Sequence, residues 1–263
     1  GGEAGGAGSG AVGRGGDTLA QLLAELSAPG AGGAEAGAPP AGGGPGAPFA
    51  AAGLDDGPGA ATVGALQGFV AAEARDISGE AFSRFMNDLY TRVFVMVNSQ
   101  NPAEKLGGVR AIDALIGVGL SGEDAAKTTR FANYLRDVFQ PGTQPGTVRL
   151  AARALGHLVR RGGPMTSDVV TFEVRRSIVW LQEPAGGQRF AACHILRELA
   201  ENAPTVFNVH VSLFIGAVWG GLRDPSPEVR GAALGALRAC LVVVEQRETR
   251  YRVKWYYELF EET

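Results

Sequence analysis

The sequence predicts an all-α fold, an α-solenoid of stacked helical hairpins that follows a disordered amino-terminal stretch. One helical pattern recurs four times between residues 105 and 240, at intervals of 44, 40 and 41 residues. Amphipathic segments with helical spacing lie between the copies. By contrast, 20 of the 40 glycines fall within residues 1–60, among Ala and Pro and few large apolar residues. A repeated helical unit is therefore expected to form the folded part of the chain.

In each copy of the repeat, a basic residue is followed by small or apolar residues three, six, seven and ten positions later. This spacing is that of one helix face. The basic residues are Lys105, Arg149, Arg189 and Arg230, and the small residues three positions later are Gly108, Ala152, Ala192 and Ala233. The interval lies within or close to the roughly 40–47-residue period of HEAT and armadillo units. The sequence therefore predicts a HEAT-repeat α-solenoid.

These eight residues are predicted to form a structural repeat ladder rather than a catalytic site. A small side chain at the third position lets helices of neighbouring hairpins approach closely. The basic residues are expected to pair with acidic groups or with the carboxyl ends of helices.

Outer helices are predicted between the repeated ones, and one of them conflicts with its local pattern. Residues 207–215 carry apolar side chains at alternate positions, as a half-buried strand would. The repeat frame, together with Pro204 at a suitable helix start, favours a helix over residues 206–222 instead. A further outer helix is expected to begin at Trp255.

The chain is expected to divide into two regions. Residues 1–62 are interpreted as a mostly disordered Gly/Ala/Pro-rich segment with a short helix at 17–27, because this composition buries too little apolar surface to offset the cost of ordering the backbone. Residues 63–263 are interpreted as HEAT-type repeats, with the last repeat incomplete.

Composition excludes several classes of function. A formal charge of −3 argues against a dedicated nucleic-acid binder, which usually has a strongly basic domain. Cys193 and Cys240 lie far apart and are predicted to be buried free thiols, which is typical of a reducing compartment and indicates a cytoplasmic protein. No apolar run of about 18 residues occurs, so no membrane span is expected.

No motif predicts a catalytic, cofactor-binding or metal-binding residue. Residues 8–13 match G-x-G-x-x-G, but no strand precedes them in a βαβ context. The histidines, which have no spaced Cys or His partners for a metal, are His157, His194 and His210. A basic cluster consists of Arg149, Arg153, Arg160 and Arg161. It is interpreted as a solvated face, with binding of phosphates or of an acidic partner as the alternative.

Six stretches of the chain resemble the amino-terminal HEAT region of the target-of-rapamycin (TOR) protein kinases, in the phosphatidylinositol-3-kinase-related kinase family. They are EKLGG (104–108), AIDALIGV (111–118), RFANYLR (130–136), FEVRR (172–176), LRELA (196–200) and ALRACL (236–241). The resemblance runs in order from about Phe69 to Thr263. It departs from the family over Ala28–Gly59, where the family has a turn and the start of an ordinary helix.

The resemblance implies a very large serine/threonine kinase that assembles with a Raptor-like scaffold subunit and a WD-repeat subunit. Its Mg-ATP site and catalytic lobes lie at the far carboxyl end, so this segment would carry no cofactor and would act as a scaffold packed against the remainder of its own solenoid. It would be cytoplasmic, with recruitment to endomembranes as part of a complex. The alternatives are an unrelated HEAT-repeat adaptor, of the transport or phosphatase-scaffold type, and an independent enzyme.

Overall fold

The structure, a computed structural model, is all-α throughout the residues that it describes. The backbone is described for residues 9–28, 58–118 and 124–261. Side chains are described for residues 16–28, 61–118 and 126–251. Within these ranges every regular element is helical and no strand occurs, which confirms the predicted fold class. The assignment of the helices to HEAT-type repeats stays a prediction.

The first of two compact units, Gly1–Val118, contains four described helices, and the fourth packs against the other three. In chain order they are α1 (Ser9–Leu26), α2 (Pro58–Asp76), α3 (Gly79–Asn98) and α4 (Pro102–Ile116). The Ser78 hydroxyl accepts a hydrogen bond from the Ala81 N–H at the start of α3. Asn101 caps α4 in the same way, with Pro102 in the first turn. Both starts follow the usual preference for a polar cap.

Helix α1 is longer than the helix predicted over 17–27, because it begins at Ser9 within the stretch expected to be disordered. Its buried leucines are Leu19, Leu23 and Leu26. At its carboxyl end, Arg110 Nη1 donates to the Leu26 carbonyl at 2.7 Å. Once packing fixes these last turns, the preceding Ala- and Gly-containing turns extend the helix by one hydrogen bond per residue. The rest of the stretch predicted to be disordered, residues 1–8 and 29–57, lies outside the described residues.

Two adjacent glycines let α4 lie close to two helices at once. A Cβ on Gly107 would lie 3.0 Å from the Ser27 Cα, next to the end of α1. A Cβ on Gly108 would lie 2.9 Å from the Val97 backbone nitrogen of α3. Carbon atoms in good contact are about 3.5–4.0 Å apart, so neither position has room for a side chain.

The second unit, Gly119–Thr263, arranges its helices in two layers. In chain order they are α5 (Asp124–Val138), α6 (Pro145–Gly162), α7 (Ser167–Trp180), α8 (Gly186–Asn202), α9 (Pro204–Phe207), α10 (Val211–Leu222) and α11 (Pro227–Glu261). The inner layer consists of α6, α8 and α11, with α8 packed between the other two. The outer layer consists of α5, α7 and α10, each packed on the inner helix that follows it in the chain. This alternation is the one expected of stacked helical hairpins.

The segment with the strand-like pattern is helical. Helices α9 and α10 are joined by a 3-10 turn over Asn208–His210. Phe207 and Phe214 are fully buried, and their ring centroids are 5.9 Å apart. Their separation of seven residues is two helical turns. The predicted helix over residues 206–222 is confirmed, and Val209, which contributes to the alternation, is exposed.

The same segment is the one described helical run that could cross a membrane by length and composition. The run Pro204–Leu222 is apolar over most of its length, and 28% of its most apolar stretch is buried in the fold. Helices of soluble proteins meet this criterion too, so it is weak evidence for a span. The expected absence of a membrane span therefore stays a prediction.

Helix α11 is one continuous helix of 35 residues. The prediction that a separate outer helix begins at Trp255 is wrong, because α11 runs through that residue to Glu261. The chain has no Gly or Pro after Gly235, so no helix-breaking residue separates the two predicted helices. Helix α11 begins at Pro227, a residue favoured in the first turn of a helix.

Candidate protein-interaction surface

The repeated basic residues lie on helices of both units. Lys105 is half-buried on α4 of the first unit. The other three lie on the inner layer of the second unit. The guanidinium of Arg149 lies over the Phe190 ring, 5.3 Å from its centroid. Arg189 and Arg230 both contact the turn between α10 and α11.

Asp224 is the residue at which two of the repeated arginines meet. Arg189 donates through Nε to Asp224 Oδ2 at 2.5 Å and through Nη1 to the Glu183 carbonyl at 2.7 Å. Arg230 Nη1 donates to the Asp224 carbonyl at 2.8 Å, and the Ser226 N–H donates to Asp224 Oδ1 at 2.8 Å. The hydrogen bond from Arg189 holds the pKa of Asp224 below its usual range, despite the opposing effect of burial. The turn before α11 is thus fixed to α8. The function of the eight residues as a repeat ladder stays a prediction.

The small residues of the repeat are buried where helices meet. Ala152, Ala192 and Ala233 have no exposed surface, and Gly108 is buried against α3. A Cβ on Gly221 of α10 would lie 3.1 Å from the Ala233 side chain. A larger residue at position 233 therefore has no free volume to enter.

A line of arginines lies on the solvent-facing side of the inner layer, and we call it the inner arginine band. Its members are Arg149, Arg153 and Arg160 on α6, Arg197 on α8, and Arg230 and Arg238 on α11; all are exposed except Arg197, which is half-buried. The intervals of four and seven residues on α6 keep its three members on one helix face. Arg197 Cδ lies 3.6 Å from the position that a Cβ of Gly235 would take, so the band passes from α8 to α11.

His194 of α8 lies beneath this band. Its ring packs edge-on against Phe190, with centroids 4.5 Å apart. Burial, together with the positive charges of Arg149 and Arg197, lowers the pKa of His194 to about 4. The imidazole is therefore neutral at pH 7.

Acidification is expected to destabilise the second unit through His194. Its pKa in the folded chain lies below the unfolded value of 6.5, so the unfolded chain binds the proton more readily between these two values. The stability that neutral His194 contributes is fully present above pH 6.5 and falls by about 3 kcal/mol as the pH is lowered to 4. Urea unfolding at several pH values should show a weaker decline for His194→Gln than for the unsubstituted chain. Equal slopes would contradict this assignment.

A second charged cluster ties together two helices of the outer layer. Arg136 Nε of α5 donates to Glu173 Oε1 of α7 at 3.0 Å, and Arg176 pairs with the other carboxylate oxygen. The guanidinium of Arg136 lies 4.2 Å from the centroid of the Phe172 ring, and that of Arg176 lies 4.4 Å from the centroid of Trp180. Glu173 is only 1% exposed. The cluster matches a buried carboxylate with two cations, so the loss of either arginine would leave the charge of Glu173 less well compensated.

The described residues offer little for metal binding or thiol chemistry. No group of three or more His, Cys, Asp or Glu side chains among them could hold a metal ion. Cys193 and Cys240 are both free and buried, which confirms that prediction. Burial raises the pKa of Cys193 to about 12 and that of Cys240 to about 11, so neither is a thiolate near neutral pH.

Sequence analysis singled out the arginines of α6 as a basic cluster and those of the repeat as a ladder. It did not single out Asp224 or the remaining arginines of the band. One signal for Asp224 is present in the sequence. It is an acidic residue six positions before the repeated Arg230, directly before the Pro225–Ser226–Pro227 turn. Arg197 and Arg238 have no such signal, because isolated arginines at exposed helix positions are common.

Comparisons with known proteins find relatives over most of the chain. A serine/threonine-protein kinase TOR of Arabidopsis thaliana is 53% identical over 190 residues, which is 72% of this chain. The kinase of the same name from Oryza sativa subsp. japonica is 50% identical over 202 residues, or 75% of the chain. TOR2 of Saccharomyces cerevisiae is 37% identical over 198 residues, or 72% of the chain. No family model matches.

The matches lie in the amino-terminal part of these kinases and cover about 8% of the length of each relative. Identity at this level extends over nearly three quarters of the chain, in plants and in yeast alike. It therefore reflects descent and not only the small-residue pattern that packed helical repeats share. By sequence, the chain belongs to the TOR family of serine/threonine protein kinases.

Proposed function

We propose that this chain is a scaffold segment of a TOR-type serine/threonine kinase and holds together the protein subunits of a nutrient-responsive growth-signalling complex. The observation that carries the proposal is the match to the amino-terminal part of TOR kinases. The second unit supports it, because two stacked layers of helices present long side-chain surfaces suited to binding another protein.

The leading partner in this proposal is a Raptor-like scaffold protein, and the complex acts in the cytoplasm and on endomembranes. Mg-ATP would be bound by the catalytic part of the kinase and not by this segment, where the G-x-G-x-x-G match at residues 8–13 has no predicted strand before it. No observation favours the alternatives of an unrelated HEAT-repeat adaptor or an independent enzyme.

Co-purification with the Raptor-like protein from the same cell tests the proposal. The intact chain is expected to retain this partner, and so is a chain that lacks residues 1–8, because the described helices begin at Ser9. A peptide of residues 1–28 should retain none, since it lacks the second unit. Loss of the partner from the intact chain, or retention by that peptide as strong as by the intact chain, would contradict the scaffold proposal.

A further inference from the structure

We propose that the inner arginine band is a docking surface for an acidic, amphipathic polypeptide segment of a partner protein. The segment would place carboxylates against the arginines and apolar side chains between them. This inference rests on the proposed scaffold function and specifies the surface through which it acts.

The inner layer is basic in a chain that is acidic as a whole. Helices α6, α8 and α11 together contain twelve basic and seven acidic residues, a formal excess of five positive charges, whereas the chain carries −3. The asymmetry is strongest on α6, which has four arginines and no acidic residue. A local excess of one charge attracts a partner surface of the opposite charge.

Helix α11 contributes apolar side chains between its arginines. Arg230, Leu234, Arg238 and Leu241 follow one another at intervals of four, four and three residues, which places them on one helix face. Leu234 is 42% exposed and Leu241 is 52% exposed. A face that alternates cationic and apolar groups complements a helix that alternates carboxylates and apolar groups.

Some arginines of the band are held in position while others are available for a ligand. Arg149 is held over Phe190, and Arg230 donates to two backbone carbonyls of the turn before α11. Arg197 is paired with Glu201, whereas Arg160 and Arg238 make no hydrogen bond or ion pair with the described residues. All six members are arginines, and the planar guanidinium suits two-point binding of a carboxylate.

The surface favours a polypeptide over a nucleic acid. Single-stranded nucleic acids are usually bound by basic residues interleaved with exposed aromatic rings on which bases stack. The ring in contact with this band, Phe190, is 5% exposed and lies beneath Arg149. The exposed Leu234 and Leu241 have no use in binding phosphates, but they fit the apolar side chains of an amphipathic segment.

Synthetic peptides test the proposal directly with the whole chain. The probe is a fluorescently labelled helical peptide with Leu and Glu in amphipathic spacing, and its binding is measured by anisotropy. The first control peptide replaces each Glu with Lys, and the second replaces each Leu with Ser. We expect the Leu/Glu peptide to bind, with affinity that falls as salt rises, and both control peptides to bind at least about tenfold more weakly.

Matched variants locate the binding surface. The double change Arg153→Glu with Arg238→Glu is expected to weaken binding of the Leu/Glu peptide at least about tenfold. The control, Arg84→Glu with Arg175→Glu, makes the same charge change at exposed arginines of α3 and α7 and is expected to leave binding unchanged. The melting temperatures of the two double variants verify that each of them is folded.

Three results would overturn the inference. They are equal binding of the Leu/Glu and Lys control peptides, equal losses of peptide affinity in the two double variants, and tighter binding of single-stranded DNA or of phosphatidylserine vesicles than of the Leu/Glu peptide.

Co-purification separates this inference from the scaffold proposal. If the Raptor-like protein is retained equally by the unsubstituted chain and by the Arg153→Glu, Arg238→Glu variant, the inner arginine band does not bind this partner, and the scaffold proposal stands. If the unsubstituted chain retains no partner, the scaffold proposal fails, and the peptide assay alone decides on the band.

Discussion

Replacing Ala233 with tryptophan is expected to lower the free energy of unfolding by about 3 kcal/mol, through overpacking between α8, α10 and α11. Ala233 has no exposed surface, and Gly221 lies so close that even a methyl group added there would be 3.1 Å from the alanine Cβ. An indole ring could enter only by separating the helices. Thermal unfolding should show a melting temperature lower by roughly 10 °C.

The adjacent position provides the control for this substitution. Leu234→Trp introduces the same side chain one residue later on α11, where the native leucine is 42% exposed. A change of less than about 0.5 kcal/mol is expected there, as for most surface substitutions. Comparable destabilisation by the two variants would contradict the packing assigned to Ala233.

Replacing Asp224 with alanine is expected to lower the free energy of unfolding by about 2–3 kcal/mol, because it leaves the half-buried Arg189 without its carboxylate partner. Asp224 also accepts the Ser226 N–H, so the turn before α11 would lose a second contact. Chemical denaturation measures the effect. Asp88→Ala is the control, since it removes an exposed ion pair with Arg92 and is expected to cost less than about 1 kcal/mol.

The pH dependence of this effect has a definite sign. The pKa of Asp224 is lower in the folded chain than the unfolded value of 3.8. The stability contributed by its ionised form is therefore present above pH 3.8 and is lost as the pH falls through the folded-state pKa. The difference in stability between the unsubstituted chain and Asp224→Asn should shrink on strong acidification. A difference that stays constant would show that the charge of Asp224 is not responsible.

The helices could be predicted from the sequence because their apolar spacing and the repeat interval agree. The segment around Phe207–Ile215 shows how much the repeat interval contributes to the prediction. Its local apolar alternation favoured a strand, the repeat interval favoured a helix, and the structure is helical. Ends of helices were harder to predict. Helix α1 begins at Ser9 and α11 passes through Trp255, because an end depends on how neighbouring packing offsets weak propensities and not on propensity alone.

The candidate surface could be predicted only in part. The arginines of α6 formed a visible cluster within one helix, but their continuation onto Arg197 and Arg238 arises from the lateral packing of three helices. Sequence spacing cannot show which neighbouring helix faces belong to the same surface. The bond between Arg189 and Asp224 was hidden for the same reason, since its partners are 35 residues apart.

The near absence of lysine from the inner layer limits how its charge can be regulated. Helices α6 and α8 contain no lysine, and α11 contains one, Lys254. Arginine stays protonated at any physiological pH, and it is not a substrate for lysine acetylation or ubiquitination. The positive charge of the arginines in this layer is therefore insensitive to physiological pH and to lysine modification. Reversible control of an electrostatic contact made by these arginines would come from added negative charge, for example from phosphorylation of the docking segment.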